Sequence, residues 1–312
     1  MSRSGGRLGG LLDAGTFVVT GEVVPLRSGE PGSLHDAGRG LVGYVDALNV
    51  TDNPRASAHM SAVAAARLVR DAGIEPTLQL VARDRNRLAI TADLLGGWAM
   101  GARNLLVLAG EPMEQGDEPD AKPVFDLGPE EVVALARRMR DDGETGSGAA
   151  IADPPRYRIG VADVPLADRY DVSKLERRLD AGAELVWTQI AYDAEAMGAW
   201  IDAIRPLGIL ERAKVLAGVV PLRSATNARF LDGLFGVRVP ASVIAMLEDA
   251  GDPDAAESVG IDLTVDVVRR LRTIDGISGV HLMGIGRDDL VRTVVERAAL
   301  FPRPAPPSTD PR

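Results

Sequence analysis

Apolar runs of five to eight residues, each stopped by polar or charged residues and followed by a segment of helical periodicity, recur from Phe17 to Met283. The strand-like runs are Phe17–Val24, Tyr44–Val50, Thr77–Val81, Asn104–Leu108, Tyr157–Ala162, Leu185–Ile190, Lys214–Val220 and Gly279–Met283. Between them lie helical patterns: Leu34–Val42, Ala58–Ala72 closed by Gly73, Asn86–Met100 closed by Gly101, Pro129–Asp141, a segment capped by Ser173 and ending at Ala181, and Ala194–Leu207. Ala225–Phe235, Ala241–Ala250 and Asp254–Thr273 follow, and Asp288–Ala299 closes the series. Glycine just past a helix and proline at its first position are the expected stop and start signals. Strands alternating with helices at this spacing predict an α/β fold, a (β/α)8 TIM barrel in a single domain. A doubly wound open sheet is the rival arrangement. No Gly-x-Gly-x-x-Gly turn joins a strand to a helix, and Gly284-Ile285-Gly286 is a two-glycine fragment only. The expected boundaries are a flexible N-terminus over 1–15, the barrel over 16–300 and a disordered Pro-rich tail over 301–312.

Composition narrows the chemistry. With 46% hydrophobic content over 312 residues the chain can bury a large core. Its net charge of −10 argues against sequence-independent nucleic-acid binding, which needs clustered cations to neutralise phosphates. There are no cysteines, so thiolate nucleophiles, disulfides and Cys-ligated metals are excluded. The three histidines, His35, His59 and His281, are far apart in sequence, so no metal site is expected. No apolar run reaches the ~18 residues of a membrane span, and no signal-type apolar segment follows Met1, so the cytoplasm is the expected location.

Strand ends carry the candidate chemistry, because a barrel of this kind places function at the carboxyl ends of its strands. They supply Glu22, Asn49, Thr51, Asp52, Gln79, Arg83, Asp84, Glu111, Asp163, Gln189, Arg223, Arg287 and Asp288. Glu22 lies between Val18-Val19 and Val23-Val24, surroundings that favour a protonated carboxyl able to act as general acid; a structural pair with a barrel arginine is the alternative. Gln189 offers a donor and an acceptor to the edge of a heterocycle, or a hydrogen bond between neighbouring strands. Arg83-Asp84-Arg85-Asn86-Arg87 can hold a phosphate or form a solvated charge run, with Asn86 as the cap of the next helix. His281 and the three tryptophans read as core residues, His35 and His59 as surface residues.

Several strings occur together and in order: Gly21-Glu22-Val23-Val24-Pro25, Leu48-Asn49-Val50-Thr51-Asp52-Asn53, Arg83-Asp84-Arg85-Asn86-Arg87 and Ala121-Lys122-Pro123-Val124-Phe125-Asp126-Leu127. On these the chain resembles the methylenetetrahydrofolate reductase family from about Phe17 to Arg297, and most resembles the branch found in acetogens and related bacteria. The resemblance implies a (β/α)8 barrel with a flavin, FAD or alternatively FMN, at its C-terminal face. It implies hydride transfer to methylenetetrahydrofolate, giving methyltetrahydrofolate, or the reverse oxidation. NAD(P)H or an electron-donating partner protein would feed the flavin. By the same resemblance Glu22 is the general acid and Glu111 the strand-four carboxylate near flavin and pterin. Gln189 and Arg287 lie at the folate, and Asn49, Thr51, Gln79, Arg83 and Asp163 are flavin contacts. A homo-oligomer is compatible with it.

The chain also departs from the family pattern. Glu111 replaces the usual aspartate. Val161-Ala162-Asp163-Val164-Pro165 replaces a segment that packs on flavin in relatives, and Pro25-Leu26 replaces a proline pair. Gln79 stands where the enterobacterial type has histidine, although the acetogen branch also has glutamine there. The altered fifth strand end motivates two alternatives: direct hydride transfer from a nicotinamide without flavin, and a partner-dependent folate- or flavin-binding subunit.

Overall fold

The computed structural model describes residues 6–306. Eight parallel strands form a closed barrel in the order β1 to β8, with β8 pairing back onto β1. The first half runs α1 (Arg7–Asp13), β1 (Val18–Val23), α2 (Gly32–Gly40), β2 (Ala47–Val50), α3 (Ala62–Asp71), β3 (Pro76–Val81), α4 (Arg87–Met100), β4 (Asn104–Leu108) and α5 (Pro129–Asp141). The second half runs β5 (Arg158–Asp163), α6 (Val172–Ala181), β6 (Leu185–Ile190), α7 (Ala194–Ile204), α8 (Ile209–Arg212) and β7 (Lys214–Val219). It ends with α9 (Ala225–Asp232), α10 (Ala241–Asp249), α11 (Pro253–Thr273), β8 (Ile277–Leu282) and α12 (Asp288–Arg297). The single (β/α)8 barrel is therefore present, and the open sheet is not.

Local chemistry sets the helix boundaries. Asn86 accepts the Ala89 amide at 3.0 Å and starts α4, which Gly101 ends at φ 105°, a backbone region costly for any side chain. Pro129 opens α5, and Glu131 reaches back to the Gly128 amide at 2.7 Å. Helix α6 begins two residues earlier than expected, at Val172, because Asp171 rather than Ser173 supplies the capping oxygen.

Residues alternate across each strand, so the barrel has two apolar regions. One lies between strands and helices and holds most of the core, including Val19, Leu48, Leu78, Leu105, Ile159 and Val161. The other fills the lower lumen with Val18, Ala47, Leu106, Leu185, Trp187 and Leu216. Gly160 makes room for this packing, since a Cβ there would stand 2.1 Å from the Trp187 ring.

Residues 7–13, expected within a flexible N-terminus, instead form α1, whose Leu8, Leu11 and Leu12 are buried in the lower-lumen cluster. Glu75 accepts the Arg7 and Leu8 amides and fixes the start of this helix. The tail is also anchored where it leaves the barrel. Arg303 donates to Asp46 Oδ2 at 2.7 Å and to the carbonyls of Phe17 and Leu300. Asp46 receives Arg7 as well, at 2.9 Å, so one buried carboxylate ties both ends of the chain to the barrel floor. The remainder of the tail expected to be disordered, 307–312, lies outside the described residues.

Candidate active site

At the opposite end the lumen turns polar. Thr20 and Glu22 on β1, Asn49 on β2, Thr77 and Gln79 on β3 and His281 on β8 follow the lumen-facing alternation of their strands. Register places Glu22 beside Asn49, Asn49 beside Thr77, and Thr20 beside His281. Glu22 accepts a hydrogen bond on Oε2 from Gln79 Nε2 at 3.1 Å. His281 Nε2 lies 3.6 Å from the same oxygen, and its Nδ1 lies 3.0 Å from Thr20 Oγ1. Both amide atoms of Asn49 and the hydroxyls of Thr51 and Thr77 are buried without a hydrogen-bond partner. Orphaned polar atoms carry a desolvation cost of ~1–3 kcal/mol each, so a cluster of them marks a place prepared for water or ligand.

A cavity of about 590 Å³ opens beside Glu22, with Val24, Leu26, His59, Ile285 and Asp288 on its walls. Burial pushes the Asp288 carboxyl above the usual aspartate range, against the pull of Arg292. The rim is strained where its loops turn: Asn53, Arg55 and Ala56 after β2, Phe125 after β4 and Ile285 after β8 all have positive φ. Non-glycine residues in that region cost about 1–3 kcal/mol and cluster at functional sites. Asp117 ties two of these loops to the β1 end, accepting Arg27 at 2.8 Å and the Ala58 amide at 3.0 Å.

The arginine string is consumed by this rim. Arg83, 1% exposed, holds Asp84 at 2.6 and 2.9 Å and donates to the Glu111 carbonyl at 2.8 Å. The hydrogen bond to Asp84 raises its guanidinium. Arg85 binds Asp52 at 2.6 and 3.0 Å and Asp93 at 2.6 Å. Burial pulls the Arg85 guanidinium down, but the two carboxylates outweigh it and raise it. Arg87 pairs with Asp126 at 2.8 Å. Each guanidinium thus has a carboxylate of its own, and the phosphate-holding expectation finds no free cation here.

The remaining expected residues divide. Glu111 is half-exposed after β4, its Oε2 3.8 Å from Arg83 Nη1. Gln189 donates from Nε2 to the Phe235 carbonyl at 3.3 Å, and its Oε1 accepts the Ile190 amide at 3.0 Å. Arg287 caps the outer rim in a fork with Glu257, at 2.9 and 3.0 Å, and Asp289. Asp163 is turned away from the lumen. It shares a strand face with Ile159 and Val161, accepts the Tyr170 hydroxyl at 2.8 Å and lies 3.9 Å from Arg178. Burial pushes its carboxyl above the ordinary aspartate range. Sequence reasoning set aside His281 as a core residue and passed over Thr20. The signal for Thr20 was the two-residue period that puts it on one strand face with Glu22, whereas His281 joins them only through the pairing of β8 with β1.

The sequence profile described as methylenetetrahydrofolate reductase matches residues 7–299. The chain belongs to the methylenetetrahydrofolate reductase family. A Schizosaccharomyces pombe relative, methylenetetrahydrofolate reductase 1, is 24% identical over 77% of this chain, which spans only 38% of that protein's length. The 5,10-methylenetetrahydrofolate reductase of Pectobacterium carotovorum is 22% identical over 74% of this chain and 72% of its own. Among solved structures, a Clostridium thermocellum protein described as binding two copies of 5-methyl-5,6,7,8-tetrahydrofolic acid superposes with a TM-score of 0.57 at 12% identity, over 92% of this chain and 97% of its own. That likeness establishes the shared fold, and a barrel alone does not fix chemistry. Among the described residues no helix is long and apolar enough to cross a membrane, and no group of His, Asp and Glu is placed to hold a metal ion.

Proposed function

We propose that this chain reduces methylenetetrahydrofolate to methyltetrahydrofolate, or runs the reverse oxidation, with Glu22 as the general acid. The observation that carries this reading is the Glu22 carboxyl at the lumen mouth. Its Oε2 is held by Gln79 while Oε1 has no hydrogen-bond partner among the described residues. A positioned acid with one free oxygen can protonate a substrate nitrogen and open the bridging ring to an electrophilic iminium. Glu111 and Gln189 hold the pterin, the glutamine exchanging its backbone partners for the heterocycle edge. The cavity beside Glu22 gives the rest of the folate a largely apolar wall.

The family's flavin finds part of its expected cradle. The orphaned amide of Asn49 and hydroxyl of Thr51 fit the edge of a bound ring, and Gln79 stands next to them. When bound, a flavin supplies the two-electron relay from NAD(P)H to the folate. Arg83 and Asp163 do not belong to that cradle, because the first is spent on Asp84 and Glu111 and the second faces α6. Their loss favours a second reading, flavin-independent hydride transfer from NAD(P)H to the same substrate. The deciding experiment is the visible spectrum of the purified protein, with FAD and FMN titrations and NADH-dependent turnover of methylenetetrahydrofolate. Flavin bands that bleach with NADH and recover with folate support the first reading. A colourless protein that turns over with NADH supports the second. No turnover with either nicotinamide or added flavin overturns both.

A further inference from the structure

We propose that His281 is a positioning residue that decides which oxygen of Glu22 carries the transferable proton. The inference rests on the reading of Glu22 as the acid. The two side chains that approach the carboxyl, Gln79 and His281, both address Oε2. Thr20, fully buried, faces the other side of the imidazole at 3.0 Å from Nδ1. A neutral imidazole has one N–H, and the partner of one nitrogen fixes the role of the other. The Thr20 hydroxyl also lies 3.5 Å from the Val280 carbonyl; with it donating to the nearer Nδ1 instead, the proton of His281 sits on Nε2 and points at Glu22. Oε2 then accepts from Gln79, faces the His281 N–H at 3.6 Å and is held as the carbonyl oxygen, so the acid proton resides on Oε1.

In the proton-transfer step the Oε1–H bond breaks, its electron pair stays on Oε1, and the proton forms an N–H bond to the folate nitrogen. Glu22 gains one negative charge and the substrate one positive charge. The new carboxylate charge is stabilised by donors already in place, and the contact of 3.6 Å from His281 has room to shorten as that charge appears. Among the described residues no other charged group lies within hydrogen-bonding reach of this pair. Arg27, His59 and Asp288 line the same cavity without a hydrogen bond or ion pair to Glu22 or His281.

Two measurements test this. The chain has only three histidines, so nitrogen-15 spectra of histidine-labelled protein resolve each ring. The Nε2–H tautomer is expected for His281, and an Nδ1–H tautomer overturns the proposal without reference to activity. In turnover assays, Thr20→Val and His281→Leu should each lower kcat by roughly 10- to 100-fold, the cost of a misplaced reacting group. The folate KM should change little, because the groups that hold the folate are untouched. Thr20→Ser and His281→Gln, which keep a hydroxyl and an N–H donor, should recover most of the rate. Unchanged kcat in folded Thr20→Val and His281→Leu, beside an inactive Glu22→Gln, overturns the positioning role alone. An active Glu22→Gln overturns the acid assignment on which it rests.

Discussion

The upper and lower halves of the barrel lumen are built by the same strands to opposite ends. Below, Leu8, Leu11 and Leu12 of α1 meet Val18, Ala47, Leu106, Leu185, Trp187 and Leu216, and the result is an apolar plug. Two positions further along β1 and β2, the lumen residues become Thr20, Glu22 and Asn49, and three of the buried polar side chains around them have atoms without partners. The lower half buries almost only carbon, the Trp187 indole nitrogen being the one polar atom of these side chains left without a partner. The upper half holds polar groups away from water, a cost that only a bound ligand or ordered water offsets. The division matches the general separation in such barrels between a stabilising face and a reactive face.

The comparison is broken most sharply by removing the acid. Glu22→Gln keeps the shape of the side chain and an acceptor for Gln79, but it has no proton to give. Turnover should fall by about 10²–10⁴-fold, the usual worth of a positioned general acid, while the melting temperature holds. Steady-state kinetics beside a thermal melt reads both halves of that statement. Loss of stability comparable to that of a core variant would mean that Glu22 belongs to the structural half after all.

The mirror experiment is Leu11→Ala. Leu11 is 1% exposed in the plug, and truncation there should cost about 2–5 kcal/mol of stability and lower Tm by several degrees. The fraction that remains folded should turn over at the parental kcat, because Leu11 belongs to the lower cluster and not to the polar group around Glu22. A lowered kcat at temperatures where the variant is fully folded would show that the two halves are mechanically coupled.

The eightfold alternation, most helix ends and the position of Glu22 and Gln79 were legible in the sequence because each depends on residues adjacent in the chain or on strand period. Helix α1 was hidden. Its leucines at 8, 11 and 12 sit among glycines, and a helix this short is held by packing rather than by propensity. The partners of the arginine string were hidden too, since Asp52 and Asp126 stand more than thirty residues from the arginines they bind. Asp163 could have been placed correctly. Gly160 and Ala162 share the lumen with Leu185 and Trp187, so the next residue must face outward.

That outward placement sharpens the comparison along a single strand and gives the smallest effect. Asp163 is held above the ordinary aspartate range by burial, only partly opposed by the Tyr170 hydrogen bond and the Arg178 charge. A carboxyl raised in the folded state favours folding fully below its unfolded value, and that contribution is lost as pH rises through the folded value. Asp163→Asn keeps an acceptor for Tyr170 and removes the titration. It should therefore match the parent in strongly acidic solution and exceed it in stability near neutrality, with kcat unchanged. Denaturant melts at the two pH values measure the difference. If the variant instead loses turnover while remaining folded, Asp163 acts on the lumen side of β5, and the reading of that strand as apolar support for a site built elsewhere fails.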